Sequence, residues 1–211
     1  MTSFAVVAER LMEGDLPGVT AAVESLLAAG TSPLDIINQG LVEGMSQVGE
    51  LFKAGEMFVP EVLMCARVMS AATDLLKPLL KEGESPQRGK VVICTVKGDQ
   101  HDIGKNLVGL LLDSNGFSVY DLGTDQGPDK VLAAIAEQKP QIVGLSAMLT
   151  TTMPEMAKII KAMEEAGVRQ DVKVIIGGAP VTAEYATQIG ADGYSADAAE
   201  AVDLCRRLLN C

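Results

Sequence analysis

The chain has a single histidine, His101. It stands in the segment Lys97-Gly98-Asp99-Gln100-His101-Asp102-Ile103-Gly104-Lys105-Asn106. An imidazole in a polar loop can relay a proton or ligate a metal. A zinc site needs three or four protein ligands, and one histidine with the scattered thiols of Cys65, Cys94, Cys205 and Cys211 does not supply them. A macrocycle changes the count, because it brings four equatorial nitrogens and asks the protein for one axial ligand, as haem does. Asp99, two residues earlier, could accept the other ring N–H, which would fix the tautomer and raise the basicity of the ligating nitrogen. Gly98 and Gly104 would let the backbone approach something bulky, and Asp102 is placed to cap a helix that follows. Taken alone, the loop is equally well read as a surface histidine beside an acid.

Such a loop must be held by a frame, and the sequence supplies one in two parts. From residue 90 onward strand and helix patterns alternate. Apolar, β-branched runs cover Val91–Val96, Ser118–Leu122, Ile142–Ser146, Val172–Ile176 and, more weakly, Ala191–Tyr194. Helical patterns lie between them at Asn106–Ser114, Lys130–Glu137, Pro154–Ala166 and Ala183–Ile189, with a last one over 197–209. This alternation predicts a parallel sheet covered on both faces, whose ligands bind beyond the carboxyl ends of the strands. The His101 loop follows the first strand. Before residue 85 the pattern is helical throughout. Phe4–Glu13 and Leu16–Ala29 suit helices, and Leu34, Ile37, Leu41, Met45, Val48 and Phe52 mark one face of a third. Ser32, Pro33 and Asp35 give that helix a cap, a first-turn proline and a first-turn acid. Pro60 opens a fourth, with Val62, Ala66, Met69, Thr73 and Leu76 on one side. Four helices with short connections predict an antiparallel bundle. The polar segment 81–89, KEGESPQRG, reads as a linker. The expected domains are 1–84, a linker at 85–89, and 90–211.

The segment Asp99 to Gly104 reads D-x-H-x-x-G and resembles the signature of cobalamin-binding domains. In that family an S-x-L element and then a paired glycine follow, each after a strand; here Ser146-Ala147-Met148 and Gly177-Gly178 stand in those places. Met148 replaces the usual leucine, a change conservative in size and polarity. The resemblance implies that His101 is the lower axial cobalt ligand, displacing the cofactor's own nucleotide base. It implies that Asp99 hydrogen-bonds His101, with Thr152 extending the chain as a hydroxyl. Gly98, Gln100, Asp102, Ile103 and Gly104 would contact the cofactor. The displaced tail would pass Ser146, Met148, Thr150, Thr151, Gly177, Gly178 and Ala179, with Tyr194 and Ala196 near its end. Without the other motifs, the paired glycine would read as a simple turn and Ser146 as a strand-end hydroxyl bonded to backbone.

The helical half is similar to the cap of B12-dependent methyl-transfer modules, methionine synthase included, through Gly49-Glu50-Leu51-Phe52 and Gly55-Glu56-Met57-Phe58-Val59-Pro60-Glu61-Val62. Phe52, Phe58 and Val59 are implied to shield the methyl-bearing face, whereas Met57 and Val62 read as ordinary helix packing. The fold class expected is therefore α/β: a four-helix bundle cap plus a flavodoxin- or Rossmann-like, doubly wound, parallel five-stranded sheet. The resemblance runs from about residue 5 to the end and extends to the corrinoid proteins of methanogens and acetogens. Their implied role is to carry a methyl group, in the methylcobalamin form, from a substrate-specific corrinoid methyltransferase to a second one acting on tetrahydrofolate or a thiol, with a reductive activase as a further partner. No activity by the chain alone is expected. Methylamine, methanol, glycine betaine and aryl methyl ether all stand open as donors.

Composition narrows the alternatives. Hydrophobic residues make up 48% of the chain with no Trp, enough for a core built on Ala, Val, Leu, Ile and Met. A formal net charge of -11 repels phosphate backbones, so no nucleic-acid partner is expected. A B12-dependent DNA-binding sensor is disfavoured on that ground and for want of an output domain. A mutase subunit is disfavoured by the methyl-transfer type of cap, and a flavodoxin-like nucleotide binder gives no reason for the His101 loop. The amino terminus lacks the apolar run of a signal peptide, and no stretch approaches the roughly 18 apolar residues of a membrane span. With no C-x-x-C pair or disulfide framework, the expected location is a reduced cytoplasm.

Overall fold

A computed structural model describes residues 3–80 and 88–211. Residues 81–87, most of the expected linker, lie outside the described residues. Two compact units emerge: a helical one, before position 88 and including Ser114–Gly116, and an α/β one, Arg88–Asp113 with Phe117–Cys211.

The helical unit has α1 (Phe4–Met12), α2 (Leu16–Ala28), α3 (Pro33–Asp35), α4 (Glu43–Lys53) and α5 (Val59–Leu76). Between α3 and α4 the chain stays helical but winds as a π-helix over Ile36–Val42, so Pro33 to Lys53 forms one rod and the unit has four. The middle of the apolar face read from the sequence is buried, with Ile37, Leu41, Met45 and Val48 each at 1% exposure or less, while Leu34 and Phe52 at its ends are half-buried. The π winding adds Ile36 and Val42 to that face. Ser32 occupies the cap position of the rod, yet its side chain makes no capping bond; Asp15 does cap α2, accepting from the Gly18 N–H at 3.0 Å. α1 comes close to the rod at two glycines. A Cβ on Gly40 would lie 3.0 Å from Val7, and one on Gly44 would lie 3.0 Å from the Ala8 backbone. The fourth helix begins at Val59, its first turn held by Glu61 accepting from the Phe58 N–H at 2.8 Å.

The α/β unit has β1 (Gly89–Thr95), α6 (Ile103–Ser114), β2 (Phe117–Asp121), α7 (Pro128–Gln138), β3 (Ile142–Ser146), α8 (Pro154–Glu165), β4 (Lys173–Gly177), α9 (Ala183–Ile189), β5 (Gly193–Tyr194) and α10 (Ala198–Leu209). All five strands are parallel, in the order β2-β1-β3-β4-β5. β1 starts at Gly89, which pairs with Phe117, so that residue is strand and not linker. β5 is shorter than the sequence pattern, because the Ala191 N–H turns back to the Ala186 carbonyl at 2.9 Å.

Side chains alternate across the sheet. Val92, Cys94, Val143, Leu145, Val174 and Ile176 pack with Val131 and Ile135 of α7 and Met156, Ile159 and Met163 of α8. On the other face α6 approaches Ile93 at Gly109, and α10 brings Leu204 against Gly193. Burial on both faces explains why β1, β3 and β4 read as apolar runs, whereas the edge strands β2 and β5 are mostly half-buried. The strand order reverses direction between β1 and β3, and in sheets of this kind ligands bind outside the carboxyl ends of the strands at such a switch point.

Candidate functional site

The carboxyl ends of β1, β3 and β4 lie in register: Thr95 pairs with Ser146, and Ser146 with Gly177. Just beyond Thr95 the chain makes a β-turn, closed by the Asp99 N–H donating to the Val96 carbonyl at 3.1 Å. Gly98 is its third residue, with φ +81°, the sign that a type II turn requires there.

The turn delivers Asp99 into the interior at 0% exposure and leaves His101 outside with 55% of its side chain exposed. Asp99 is the hub. Its Oδ1 accepts from the His101 ring Nδ1–H at 2.7 Å and from the His101 backbone N–H at 3.1 Å. Its Oδ2 accepts from the Met148 N–H at 2.8 Å and the Thr152 hydroxyl at 2.7 Å. The Thr152 hydroxyl also lies 2.9 Å from the Leu149 carbonyl; it has one hydrogen, and the charged acceptor makes the stronger bond. Burial pushes the Asp99 carboxyl up, but bonds from Met148, His101 and Thr152 outweigh it and hold the group well below the usual carboxylate range. An ionised Asp99 only accepts, so the ring carries a hydrogen on Nδ1 and its other nitrogen, Nε2, is the one left to a ligand. The Asp99–His101–Thr152 chain expected from the family resemblance is thus present as a connected set.

The other expected residues fall around this hub. Gln100 sits in the turn, its side-chain oxygen accepting from the Thr124 hydroxyl at 3.0 Å. The Asp102 carbonyl accepts the first helical bond, from Asn106 at 2.7 Å, and Ile103 opens α6 at 84% exposure. A Cβ on Gly104 would meet nothing within 4 Å. Ser146 ends β3; Met148, Thr150 and Thr151 are exposed in the loop before α8. Gly177 ends β4, and Gly178 and Ala179 follow it. The protein itself demands the second glycine, since a Cβ there would lie 1.9 Å from the Ala147 carbonyl oxygen, at φ +124°. Tyr194 is half-buried in β5 and Ala196 exposed after it. Phe52 is half-buried in α4 of the helical unit, and Phe58 and Val59 are exposed by 65% and 38%. Val62 is buried, as ordinary packing requires.

Sequence reading missed several residues that build the site. The buried Thr95 hydroxyl donates to the His101 carbonyl at 2.8 Å. The Lys105 ammonium, 3% exposed, pairs with Asp121 at the end of β2. Asp125 accepts from the Gly98 N–H at 2.7 Å. The β-branched run Val91–Val96 placed Thr95 in a strand; nothing in the sequence signalled the other two, because their partners come from other elements. The thiols take no part. All four cysteines are free, and burial pushes those of Cys94 and Cys205 up to about 12.

A family model described as a B12 binding domain matches residues 89–203, and a second with the same description matches residues 4–77. The chain belongs to the B12-binding family. A dimethylamine corrinoid protein of Methanosarcina acetivorans is 45% identical over 90% of both chains. A solved cobalamin-binding protein from Desulfitobacterium hafniense is 35% identical, covers 99% of each chain and superposes with a TM-score of 0.84. A chain in the methanol:cobalamin methyltransferase complex of Methanosarcina barkeri is 31% identical, with a TM-score of 0.86, over 98% of this chain and 79% of that one. The cofactor of this B12-binding protein is accordingly a corrinoid.

Features of the chain itself fit such a group. The described residues hold no cluster of three or more His, Cys, Asp or Glu that could bind a bare metal ion; they offer one imidazole with a free Nε2. Beside it Ile103, Met148 and Leu149 stand 84%, 40% and 42% exposed, an apolar rim of the kind that marks a ligand surface. No neighbouring atom accounts for the glycine at 104, whereas a broad ring lying against the turn would.

Proposed function

We propose that the protein is a methyl carrier. It binds a cobalamin-type corrinoid base-off, with His101 Nε2 as lower axial ligand, and serves two methyltransferases. One loads the methyl group from its own substrate; the other unloads it to tetrahydrofolate or a thiol. The observation that carries this reading is the exposed imidazole held at Nδ1 by a buried carboxylate at 2.7 Å. The relatives support the setting: the names of two include dimethylamine and methanol:cobalamin methyltransferase, which favours a small methylated amine or alcohol as donor. A reductive activase belongs to the same proposal. So does a cytoplasmic location, supported by four free thiols. No helix among the described residues is long and apolar enough to cross a membrane.

When bound, the corrinoid supplies a cobalt centre that accepts and gives up a methyl group. The chain's residues do the rest. Asp99 holds the His101 proton at Nδ1 and raises the donor strength of Nε2. Thr152 and the Met148 N–H lock the carboxylate in place. If Nε2 is released, it can take a proton, and the anionic Asp99 stabilises the imidazolium that results. Gly104, where a Cβ would meet nothing within 4 Å, keeps the approach to the turn free of a side chain. For Phe52, Phe58 and Val59 we retain the shielding role, exclusion of water from a reactive centre, which the exposure of Phe58 supports.

The test is a pair of spectra. The protein labelled with nitrogen-15 in its one histidine and reconstituted with cob(II)alamin should give an electron paramagnetic resonance signal split into doublets by that axial nitrogen, and His101→Gly should lose those doublets. Identical spectra would remove His101 from cobalt. Failure of both proteins to retain the cofactor would overturn the methyl-carrier reading itself.

A further inference from the structure

We propose that Asp125 is a positioning residue for the axial histidine, acting by fixing the orientation of one peptide group in the turn that carries Asp99 and His101. The inference rests on the His101 assignment above.

Among the described residues three that are not glycine have positive φ: Asp125, Lys139 and Asn210. Lys139 and Asn210 close the carboxyl ends of α7 and α10, where a left-handed residue is ordinary. Asp125, at φ +60°, ends no helix. It lies in the loop between β2 and α7, and both of its polar groups reach across to the His101 turn. Its Oδ1 accepts from the Gly98 N–H at 2.7 Å, and its own N–H donates to the Asp99 carbonyl at 3.1 Å.

The first of these bonds matters because of what separates turn types. Types I and II differ by a flip of the central peptide, here the one joining Lys97 to Gly98, whose N–H points to opposite sides in the two forms. The turn's own closing bond, Asp99 N–H to Val96, is common to both and selects neither. A carboxylate waiting on one side for the Gly98 N–H does select. The second bond pins the next carbonyl, so the backbone of Asp99 is gripped at its N–H by Val96 and at its C=O by Asp125. The same loop also sends the Thr124 hydroxyl to Gln100 at 3.0 Å, while its Gln126 N–H donates to the Thr95 carbonyl at 3.0 Å. Asp125 is exposed, and an exposed side chain adds little to core stability; its geometry is spent on the turn.

Three variants separate positioning from folding and from charge. Asp125→Asn keeps the acceptor oxygen and the tolerance for positive φ. Asp125→Gly relaxes the backbone but removes the acceptor, and Asp125→Ala removes the acceptor and strains the backbone. His101 is the only imidazole, so its ring nitrogens can be observed in the cofactor-free full chain by nitrogen-15 NMR without assignment variants. We expect one Nδ1–H tautomer in the wild type and Asp125→Asn, and tautomer averaging in Asp125→Gly and Asp125→Ala at unchanged circular dichroism. Cob(II)alamin binding should weaken about 10- to 100-fold in the Gly and Ala variants, the usual cost of losing a group that orients a ligating histidine, with Asn restoring it. Wild-type behaviour of Asp125→Gly in both measurements would overturn the proposal, as would Asn failing like Ala. Absence of axial nitrogen in the wild-type cobalamin spectrum would instead overturn the His101 assignment, with the tautomer measurement still reporting on Asp125.

Discussion

Asp99 has two oxygens and receives four hydrogen bonds on them. Removing the carboxylate therefore orphans several donors at once. Asp99→Ala should destabilise the protein by about 2–4 kcal/mol, since each unsatisfied buried donor costs about 1–3 kcal/mol, and chemical denaturation would measure it. A change below about 0.5 kcal/mol, the level of an ordinary surface substitution, would mean that water replaces the carboxylate freely. The charge has its own signature. The folded-state pKa of Asp99 lies below the ordinary 3.8, so its ionisation contributes stability that is complete above that value and is lost as the pH falls through the folded value. The stability difference between wild type and Asp99→Asn should thus shrink on acidification below about pH 4; a constant difference would assign it to shape alone. The hydrogen-bonded connection of Asp99, His101 and Thr152 was legible in the sequence because a motif carries it. Thr95 and Asp125 were not: each acts on the His101 turn from its own strand end or loop, and no local spacing records which loops become neighbours.

At the scale of elements, the strongest constraint on the site is the approach of β4's end to β3's. Gly178→Ala would place a methyl carbon 1.9 Å from the Ala147 carbonyl oxygen, and backbone cannot yield as a side chain can. We expect loss of folded protein or of corrinoid retention in that variant, measured by circular dichroism and by bound absorbance; a folded, cofactor-retaining Gly178→Ala would refute the contact. In the helical unit Gly44→Val should cost about 1–3 kcal/mol by overpacking against α1, read as a lowered Tm. The strands and helices were legible, down to Ile142–Ser146 and Ala183–Ile189 residue for residue. The π-helix was not. Over the seven residues of Ile36–Val42 a wider winding still brings apolar residues to one side every three to five positions, so the i, i+3, i+4 pattern reads the same. The sequence pattern also ran β5 two residues too early, because it cannot tell a strand from a helix-closing turn made of the same Ala and Asp.

For the whole molecule, cofactor binding is the perturbation to use. A ligand at a hundred times its Kd stabilises the native state by about 2.7 kcal/mol, so cobalamin should raise the Tm of the protein. Hydrogen exchange should slow in 97–104, 146–152 and 177–179, the loops beyond the strand ends. Protection confined to other segments would move the site elsewhere. Composition and alternation were enough to foresee an acidic chain with a doubly wound sheet, since both follow from residue counts and burial on two faces. The division of labour between the sheet's two margins was not foreseeable, and it has a consequence for solubility. β5 offers only Gly193 and Tyr194 for pairing, too few exposed N–H and C=O groups for a foreign strand to dock and extend the sheet. β2, with five residues, is the longer margin, so a chain that begins to aggregate by strand addition will do so there, and a lysine or proline on its open side is the substitution that would prevent it.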